Sequence, residues 1–364
     1  MSQCFESLLL EAVNFSLSHE VKWSRDTQDP WGIHKDDPSP WDKLFGPVFP
    51  RGGVSGVISR KGSVLARWGE SDRADMTFSV AKTYLSLICG VAYDQGLIKD
   101  IDQPISDMFS GIGFDRGPNR LVTWRHLLQQ TSEWEGVCCD IPDEVDHHRY
   151  LSFQNSRAKP AVQKGVKRKL NKPGTYWEYN DVRINQLSLA LSYTFRESLD
   201  TVFERAILAP IGCSLNWSWS PYEDCFISID GKRIPILPGG SHWGGGIRIS
   251  SEDQVLVGQL IANKGMWEGD QLISQGWFDQ MLAPSKLAPF YGFLVWLNTD
   301  NTIFPSIPES SFFAIGAGGA YTWIDPELQS VTVVRWIDPQ CADQFMAKVR
   351  HALMRDIGGG NSTI

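Results

Sequence analysis

The chain has 364 residues and a net charge of −8 at neutral pH. This modest acidity argues against a general binder of nucleic acids or anionic membranes, and no apolar run approaches the length of a membrane span. The length exceeds one typical core, yet no proline-rich or low-complexity linker divides it, which predicts two lobes of one unit.

The first elements predicted along the chain are a helix and a hairpin. Residues 1–11 have an amphipathic helical pattern without a basic leader or a small-residue cleavage site, so we expect no secretion signal. A tryptophan- and proline-rich irregular stretch covers residues 23–50. Residues 53–59 and 63–68 then have strand patterns on either side of a glycine-bearing turn, which predicts an antiparallel hairpin.

Helical periods dominate from residue 79 to about residue 209, including residues 123–128 and 181–191. Strand patterns return in the last third of the chain, and a final helix is expected from about residue 342 to 355. The late strand patterns cover residues 292–296, 312–316, 320–324 and 330–336.

The order of these elements predicts an α+β fold in which strands from both ends of the chain share one antiparallel sheet. Terminal helices would cover the sheet, and a helical lobe would be inserted between its strands. We expect residues 1–75 and 240–364 to form the sheet lobe and residues 76–239 to form the helical lobe. The cleft between them is the expected functional site.

Ser79 and Lys82 are spaced for contact at the start of a helix. Positions three apart share one helical face, so the lysine amine can reach the serine hydroxyl and either take its proton or keep another base ionised. An S-x-x-K pattern alone is more often a capping serine with a solvated lysine. Here the following turns are apolar and predict a buried helix, in which a lysine requires a reason.

A second motif lies downstream, where Pro173 and Gly174 precede Tyr179 at the start of another helix. A tyrosine in such a loop is ordinarily a packed ring with a hydrogen-bonded hydroxyl. Together with Ser79 and Lys82, however, the pattern resembles the serine hydrolases of the class C β-lactamase and penicillin-binding superfamily, which carry S-x-x-K and then P-G-x(4)-Y-x-N. Segments 96–105, 123–132 and 313–326 resemble further family segments in the same order.

This resemblance implies roles for individual residues. Ser79 would be the nucleophile, Lys82 its activating amine, and Tyr179 the phenol that relays a proton to the leaving group. Backbone N–H groups of Ser79 and Ala317 would bind the oxyanion, provided that Ala314, Ile315 and Gly316 occupy the third motif, usually K-T-G or H-x-G.

Two departures separate the chain from the β-lactamases within that superfamily. The asparagine of Y-x-N is Asp181, and the third-motif cation is replaced by Ala314. Both changes concern the β-lactam site, so lactamase activity is not expected. Relatives with such departures include carboxylesterases, D-amino acid peptidases and nylon-oligomer amide hydrolases, and the chain resembles the last group most.

His242 and Trp243 lie in a glycine-rich segment that resembles another family segment leading into a helix. His242 could bind substrate, assist the proton relay or be a hydrogen-bonded structural histidine. Trp243 could form a pocket wall. Ile315, Gly316, Asp181, His242 and Trp243 are therefore the candidate substrate-binding residues beside Ala317.

No cofactor, metal or nucleotide is expected. The glycine clusters lack a dinucleotide fingerprint or a phosphate-loop lysine, and the acidic stretch around His147 and His148 is more typical of a solvated loop than of a metal site. Seven irregularly spaced cysteines, with Cys138 and Cys139 adjacent, predict reduced thiols in a cytoplasm. The basic stretch 157–172 predicts a solvated loop or a rim that attracts an anionic substrate.

The predicted function is hydrolysis of an ester or amide bond in a small molecule through an acyl-enzyme on Ser79. One alternative is an acyltransferase, in which an alcohol or amine replaces water as the acyl acceptor. The other is a non-catalytic sensor that keeps the penicillin-recognising fold without turnover. The oligomeric state and the acyl group are not predicted.

Overall fold

A computed structural model describes residues 4–27, 32–151 and 162–359. Its α-helices are α1 (Phe5–Leu17), α2 (Val80–Asp94), α3 (Trp124–Leu128), α4 (Asp181–Phe195), α5 (Leu199–Phe203), α6 (Ser251–Ala262), α7 (Gln275–Met281) and α8 (Ala342–Gly359). Short 3-10 turns and one π-helical turn connect some of them.

Strands occur from residue 55 to residue 335, and the longest, of five or six residues, lie near the two ends of the chain. They are β1 (Ser55–Arg60), β2 (Ser63–Trp68), β3 (Asp75–Met76), β4 (Val137–Cys138), β5 (Ile141–Pro142), β6 (Ser218–Ser220), β7 (Phe226–Ile229), β8 (Lys232–Pro235), β9 (Gly246–Ile249), β10 (Met266–Trp267), β11 (Asp270–Gln271), β12 (Trp296–Leu297), β13 (Phe312–Gly316), β14 (Ala320–Asp325) and β15 (Ser330–Arg335).

The main sheet has six strands in the order β12-β13-β14-β15-β1-β2, and every neighbouring pair is antiparallel. Strands from both ends of the chain therefore share one sheet, as the sequence predicts. The β1–β2 hairpin turns at Lys61 and Gly62, both with positive φ, which matches the twist of the flanking strands.

Helices cover both faces of this sheet. Gly258 of α6 lies against Val331, and an added Cβ there would be 2.5 Å from a valine methyl carbon. On the other face of the sheet, Trp68 of β2 contacts Phe345 of α8. Trp68 and Val334 lie on the same face, because both are paired in register with Gly56. Val331 is three residues from Val334 along β15, so its side chain points to the opposite face. Helix α1 packs against α8. The predicted α+β layering is confirmed.

Two expectations are wrong in detail. The strand predicted over 292–296 is reduced to β12, because Leu294 has positive φ and the Gly292 N–H bonds to the Val295 carbonyl in a turn. Cys139 and Cys225 form a disulfide with Cα atoms 4.9 Å apart, instead of remaining reduced. The expectation of reduced thiols is therefore wrong for these two cysteines, and the cytoplasmic location stays a prediction.

The described residues contain no helix that is both long and apolar enough to cross a membrane. A second sheet, in the order β3-β9-β6, fixes the segment that leads into α2, because β3 ends three residues before Ser79. The lobe boundaries at residues 75 and 240 remain a proposal.

Candidate active site

Ser79 is the N-cap residue of α2 and follows a strained turn. Phe78 has a φ of 51°, a left-handed conformation that a bulky non-glycine residue adopts only when its surroundings impose it. Its ring is held edge-on by Trp23 and Trp336, with centroids 5.5 and 6.3 Å away. The turn leaves Ser79 8% exposed at the start of an otherwise buried helix.

The end of β13 lies directly against this turn. A Cβ on Gly316 would be 1.9 Å from the Thr77 carbonyl oxygen, so only glycine permits the approach. Ala317 follows at the turn into β14, and Ile315 and Ala317 are both half-buried while Ala314 is buried. This contact brings the third-motif segment beside Ser79 and agrees with the register predicted for residues 314–316.

Lys82 is buried beneath the nucleophile and touches three polar groups. Its Nζ is 2.9 Å from Ser79 Oγ, 2.5 Å from Asp181 Oδ1 and 3.4 Å from the Gly239 carbonyl oxygen. The side chains of Lys82 and Asp181 are each 1% exposed. The contact with Asp181 explains how a lysine is accommodated in a helix that is buried on all sides, because a buried charge requires a partner of opposite charge.

Asp181 is held as a carboxylate by several cations. Burial raises its pKa, but Arg149, Lys82 and His242 together lower it well below the usual value. Arg149 Nη1 is 3.1 Å from Asp181 Oδ1 and His242 Nδ1 is 3.5 Å from Asp181 Oδ2.

A further layer of charges surrounds that carboxylate. Asp146 accepts the Asp181 backbone N–H at 2.7 Å and pairs with Arg149 at 3.0 Å. Lys164 is 3.1 Å from Asp146 and also contacts Asp37. Burial raises the pKa of Asp146, but Arg149 and Lys164 more than offset this, so its pKa is lowered.

Tyr179 is placed by the start of α4. The next residue, Asn180, caps that helix by accepting the N–H groups of Val182 and Arg183, and its own N–H donates to the Gln130 side chain at 3.1 Å. The Tyr179 ring is buried and stacks on Trp296 at 5.2 Å.

Two cations lie beside that ring. Lys82 Nζ is 4.7 Å from the ring centroid, and Arg149 Cζ is 5.2 Å from it. The structure thus brings the serine, the lysine and the tyrosine ring together, as the motif spacing predicts.

An ionic cluster absent from the sequence analysis supports the tyrosine loop. Arg183 of α4 is fully buried and contacts Glu133, Glu178 and Asp143 at 2.8 to 3.0 Å. Arg168 contacts Glu133 and Glu178 as well. The separate positions of these residues along the sequence give no local signal of the cluster.

Two residues of the basic stretch preceding the loop are paired and largely buried, whereas Lys167, Lys169 and Lys172 are exposed. Lys164 and Arg168 have side chains only 13% and 12% exposed, and Lys167 pairs with Glu144 at 2.8 Å. Residues 157–161 of this stretch lie outside the described residues. The expectation of a solvated loop is therefore wrong for Lys164 and Arg168.

Neither His242 nor Trp243 offers a surface to a substrate. His242 is 1% exposed and Trp243 has no exposed surface. Both contact Asp37, through His242 Nε2 at 2.9 Å and the Trp243 indole N–H at 2.7 Å. Of the alternatives for His242, this geometry matches the hydrogen-bonded structural histidine, and Trp243 does not line a pocket as a wall; both pack behind Asp181.

Asp146, Asp181 and His242 form a group whose potential metal-ligating atoms lie within 4.8 Å of one another. Lys82, Arg149 and Lys164 already contact its carboxylates. The set is neutralised by these side chains, so its chemistry is that of an ion-pair cluster.

Comparison with known proteins agrees with this geometry. The family model described as Beta-lactamase matches residues 50–336. The chain belongs to the beta-lactamase family. The predicted relationship and the assignment to the hydrolases of this family are therefore confirmed.

Individual relatives are distant. The 6-aminohexanoate-dimer hydrolase of Paenarthrobacter ureafaciens is 23% identical over 312 residues, covering 78% of this chain and 72% of that protein. A penicillin-binding protein homolog from Caulobacter crescentus has a TM-score of 0.61 at 13% identity, covering 97% of this chain and 99% of that one. EstCE1, described as a hydrolase with promiscuous acyltransferase activity, has a TM-score of 0.57 at 15% identity and covers 96% and 97% of the two chains. These structural likenesses show the fold.

Proposed function

We propose that this protein hydrolyses an ester or amide bond of a small molecule through an acyl-enzyme on Ser79. The observation that carries the proposal is the position of Lys82, whose Nζ is 2.9 Å from Ser79 Oγ and 2.5 Å from Asp181. A structural lysine requires only a carboxylate partner, whereas this one also donates to the Ser79 hydroxyl at the start of α2.

The charge state of Lys82 decides which group takes the serine proton. An ammonium that donates to Ser79 Oγ cannot accept a proton from it, so Tyr179 is the base of the mechanism. Ser79 Oγ bonds to the carbonyl carbon as its proton passes to the tyrosine oxygen. The positive charges beside the ring stabilise that oxygen while it carries negative charge.

The tetrahedral intermediate then collapses. Its oxyanion accepts hydrogen bonds from the backbone N–H groups of Ser79 and Ala317, and the bond to the leaving group breaks as Tyr179 returns the proton to the departing oxygen or nitrogen. Water then attacks the acyl-enzyme as one of its protons passes to the Tyr179 phenolate, and Tyr179 gives that proton to Ser79 Oγ as the bond between Oγ and the acyl carbon breaks and the carboxylic acid leaves.

The chemistry of the surroundings favours an uncharged acyl group. The third-motif strand carries Ala314 where the family usually has a cation, and Ile315 is half-buried at the same edge. Trp177, Phe290 and Trp296 form an aromatic wall beside Tyr179. A relative that acts on an amide, the 6-aminohexanoate-dimer hydrolase, supports including amides beside esters.

Active-site labelling tests the proposal. A fluorophosphonate probe should label the wild type and leave Ser79→Ala unlabelled, and the same variant should lose nitrophenyl-ester hydrolysis. A conservative Ser86→Ala change, about two turns beyond Ser79 on the same helix and fully buried, serves as a matched control. Equal labelling of wild type and Ser79→Ala would refute the acyl-enzyme.

An acyltransferase is the second candidate, because Ser79 is only 8% exposed and the aromatic wall suits the apolar body of an alcohol. Product analysis with added alcohol separates the two: hydrolysis gives mainly the free acid, whereas transfer gives the new ester. Stoichiometric labelling without turnover would identify a sensor instead.

A further inference from the structure

The two sequence departures at this site both make it more negative than the family pattern. Asp181 places a carboxylate where an amide is usual, which adds one negative charge. Ala314 stands where a cation is usual, which removes one positive charge. A tyrosine that must carry negative charge would be disfavoured by both changes, because like charges repel in a buried site.

Arg149 offsets part of this difference. It lies in the segment after the 3-10 turn Asp143–Asp146, far along the sequence from the third-motif strand. Its guanidinium carbon is 5.2 Å from the Tyr179 ring centroid, within the range of cation–π contacts. It also contacts Asp181 at 3.1 Å and Asp146 at 3.0 Å, so two carboxylates fix its position.

We propose that Arg149 is a positioning residue that replaces the missing third-motif cation, holding positive charge against Tyr179 while it accepts the Ser79 proton. The inference rests on the proposed function, because it concerns the base of that reaction. Arg149 exchanges no proton and forms no bond to substrate. Its role is electrostatic, and it acts through the tyrosine.

The charges around the ring favour this role. Lys82 of α2 and Arg149 face the ring and carry two positive charges, while Asp181 of α4 contributes one negative charge. Tyr291 packs edge-on at 6.2 Å, and burial raises its pKa, so it remains neutral. Without Arg149 the Lys82–Asp181 pair would leave the ring with no net charge beside it.

The next layer does not reverse this balance. Asp146 is paired with Lys164 at 3.1 Å as well as with Arg149, and Lys164 also contacts Asp37 beside His242. Lys164 therefore lies between two carboxylates, Asp146 and Asp37, and this layer carries one negative charge more than it has positive. The positive charge beside the Tyr179 ring that exceeds the Lys82–Asp181 pair comes from Arg149.

The pH profile of kcat/KM for a nitrophenyl ester tests the role. One unit charge at about 5 to 6 Å, in an effective dielectric of about 20, changes a protonation equilibrium by about a hundredfold. Because the protein and solvent relax around a lost charge, we expect a smaller effect from Arg149→Met. The acidic limb of its kcat/KM profile should move upward by at least about one pH unit, so that kcat/KM at a given pH on that limb falls about tenfold. Arg149→Lys keeps the positive charge, so its profile should lie close to that of the wild type.

A matched control separates charge from folding. Arg205→Met removes an exposed arginine that pairs with Glu197 at 2.9 Å, and its profile should equal that of the wild type. Because Arg149→Met leaves two buried carboxylates short of a partner, the double change Arg149→Met with Asp146→Asn provides a folded background. The double variant should keep an upward shift but a smaller one, because Asp146→Asn also removes a negative charge behind Arg149.

Tyrosinate absorbance gives a readout independent of turnover. The absorbance titration of each protein minus that of its Tyr179→Phe version reports ionisation of the Tyr179 ring alone. The midpoint of this difference titration should move to higher pH in Arg149→Met. Several other tyrosines do not interfere, because burial raises the pKa of Tyr84, Tyr222, Tyr291 and Tyr321.

The outcomes distinguish the two proposals. Unchanged pH profiles and unchanged absorbance titrations in Arg149→Met and in the double variant would overturn the role of Arg149, while Ser79 labelling would still support the hydrolase. Equal shifts in Arg149→Lys and Arg149→Met would also overturn it, because charge would then not matter. If the probe labelled the wild type no more than Ser79→Ala, the proposed function itself would be refuted.

Discussion

Replacing Asp181 by asparagine removes one charge at the centre of the site while keeping the shape of the side chain. The change restores the amide that is usual at this position of Y-x-N. In the structure Asp181 is buried, 2.5 Å from Lys82 and 3.1 Å from Arg149, and its pKa is held well below the usual value by those cations against the opposing effect of burial. Asp181→Asn should therefore destabilise the protein at neutral pH.

The magnitude follows from the two contacts. At an effective dielectric of about 20, unit charges at these distances attract by about 5 to 7 kcal/mol per pair. The desolvation of the carboxylate offsets much of this, and breaking a buried pair by removing one partner typically costs about 3 to 5 kcal/mol. With an unfolding entropy on the order of 0.8 kcal/mol/K for a chain of this length, Tm should fall by about 4 to 6 °C.

Urea and thermal unfolding measure this cost, with Asp279→Asn as the matched control. Asp279 pairs with Lys264 at 2.8 Å, but both side chains are about half exposed, so that change should cost at most about 1 kcal/mol. The pKa of Asp181 is lowered on folding, so its contribution is present above the unfolded value of about 3.9 and is lost below it. The difference from wild type should be constant from about pH 8 to 5 and shrink below about pH 4. Equal costs for the two variants would refute the electrostatic reasoning.

Two further changes test the surrounding structure. Gly240→Ala would place a Cβ 2.3 Å from Asp181 Oδ2, so ester hydrolysis should fall at least about tenfold, whereas Gly276→Ala, with open space around it, should retain full activity; equal rates would contradict this packing. Opening the Cys139–Cys225 disulfide by a Cys139→Ser change should lower the free energy of unfolding by about 2 to 4 kcal/mol, because the bridge spans 86 residues. Mass spectrometry after alkylation checks that the bridge forms, and unchanged urea midpoints would count against it.

Local patterns carried the predictions that the structure confirms. A 3.6-residue period and the spacing of Ser79 and Lys82 depend on one helix, and the structure places those two groups 2.9 Å apart. The β1–β2 hairpin likewise depends on one turn. The strand at 312–316 matches β13 residue for residue, because a short continuous apolar run bounded by turn residues is typical of a buried strand.

The residues that the sequence analysis missed are joined by contacts between distant segments. Arg149, Asp146 and Lys164 reach Asp181 from a loop and a basic stretch, and nothing in their local spacing indicates a shared cluster. Their charges even favour the opposite prediction, since a run of lysines ordinarily faces water. The sequence leaves three alternatives open for His242, because the partners that decide its role lie more than 60 residues away along the chain.

The buried charges themselves argue that the cluster serves the chemistry. Buried ion pairs add little net stability, because desolvation offsets their attraction, and apolar residues of similar volume often fold as well or better. Stability alone does not explain why Lys82 lies in the buried part of α2 with Asp181 of α4 as its partner. In the proposed mechanism the cluster has a chemical role. Lys82 donates to Ser79 Oγ and pairs with Asp181, and Arg149 offsets the negative charge of Asp181 beside Tyr179. If Asp181→Asn cost stability but left kcat/KM and its pH profile unchanged, that connection between charge and catalysis would be wrong, and the cluster would be a structural feature of the fold.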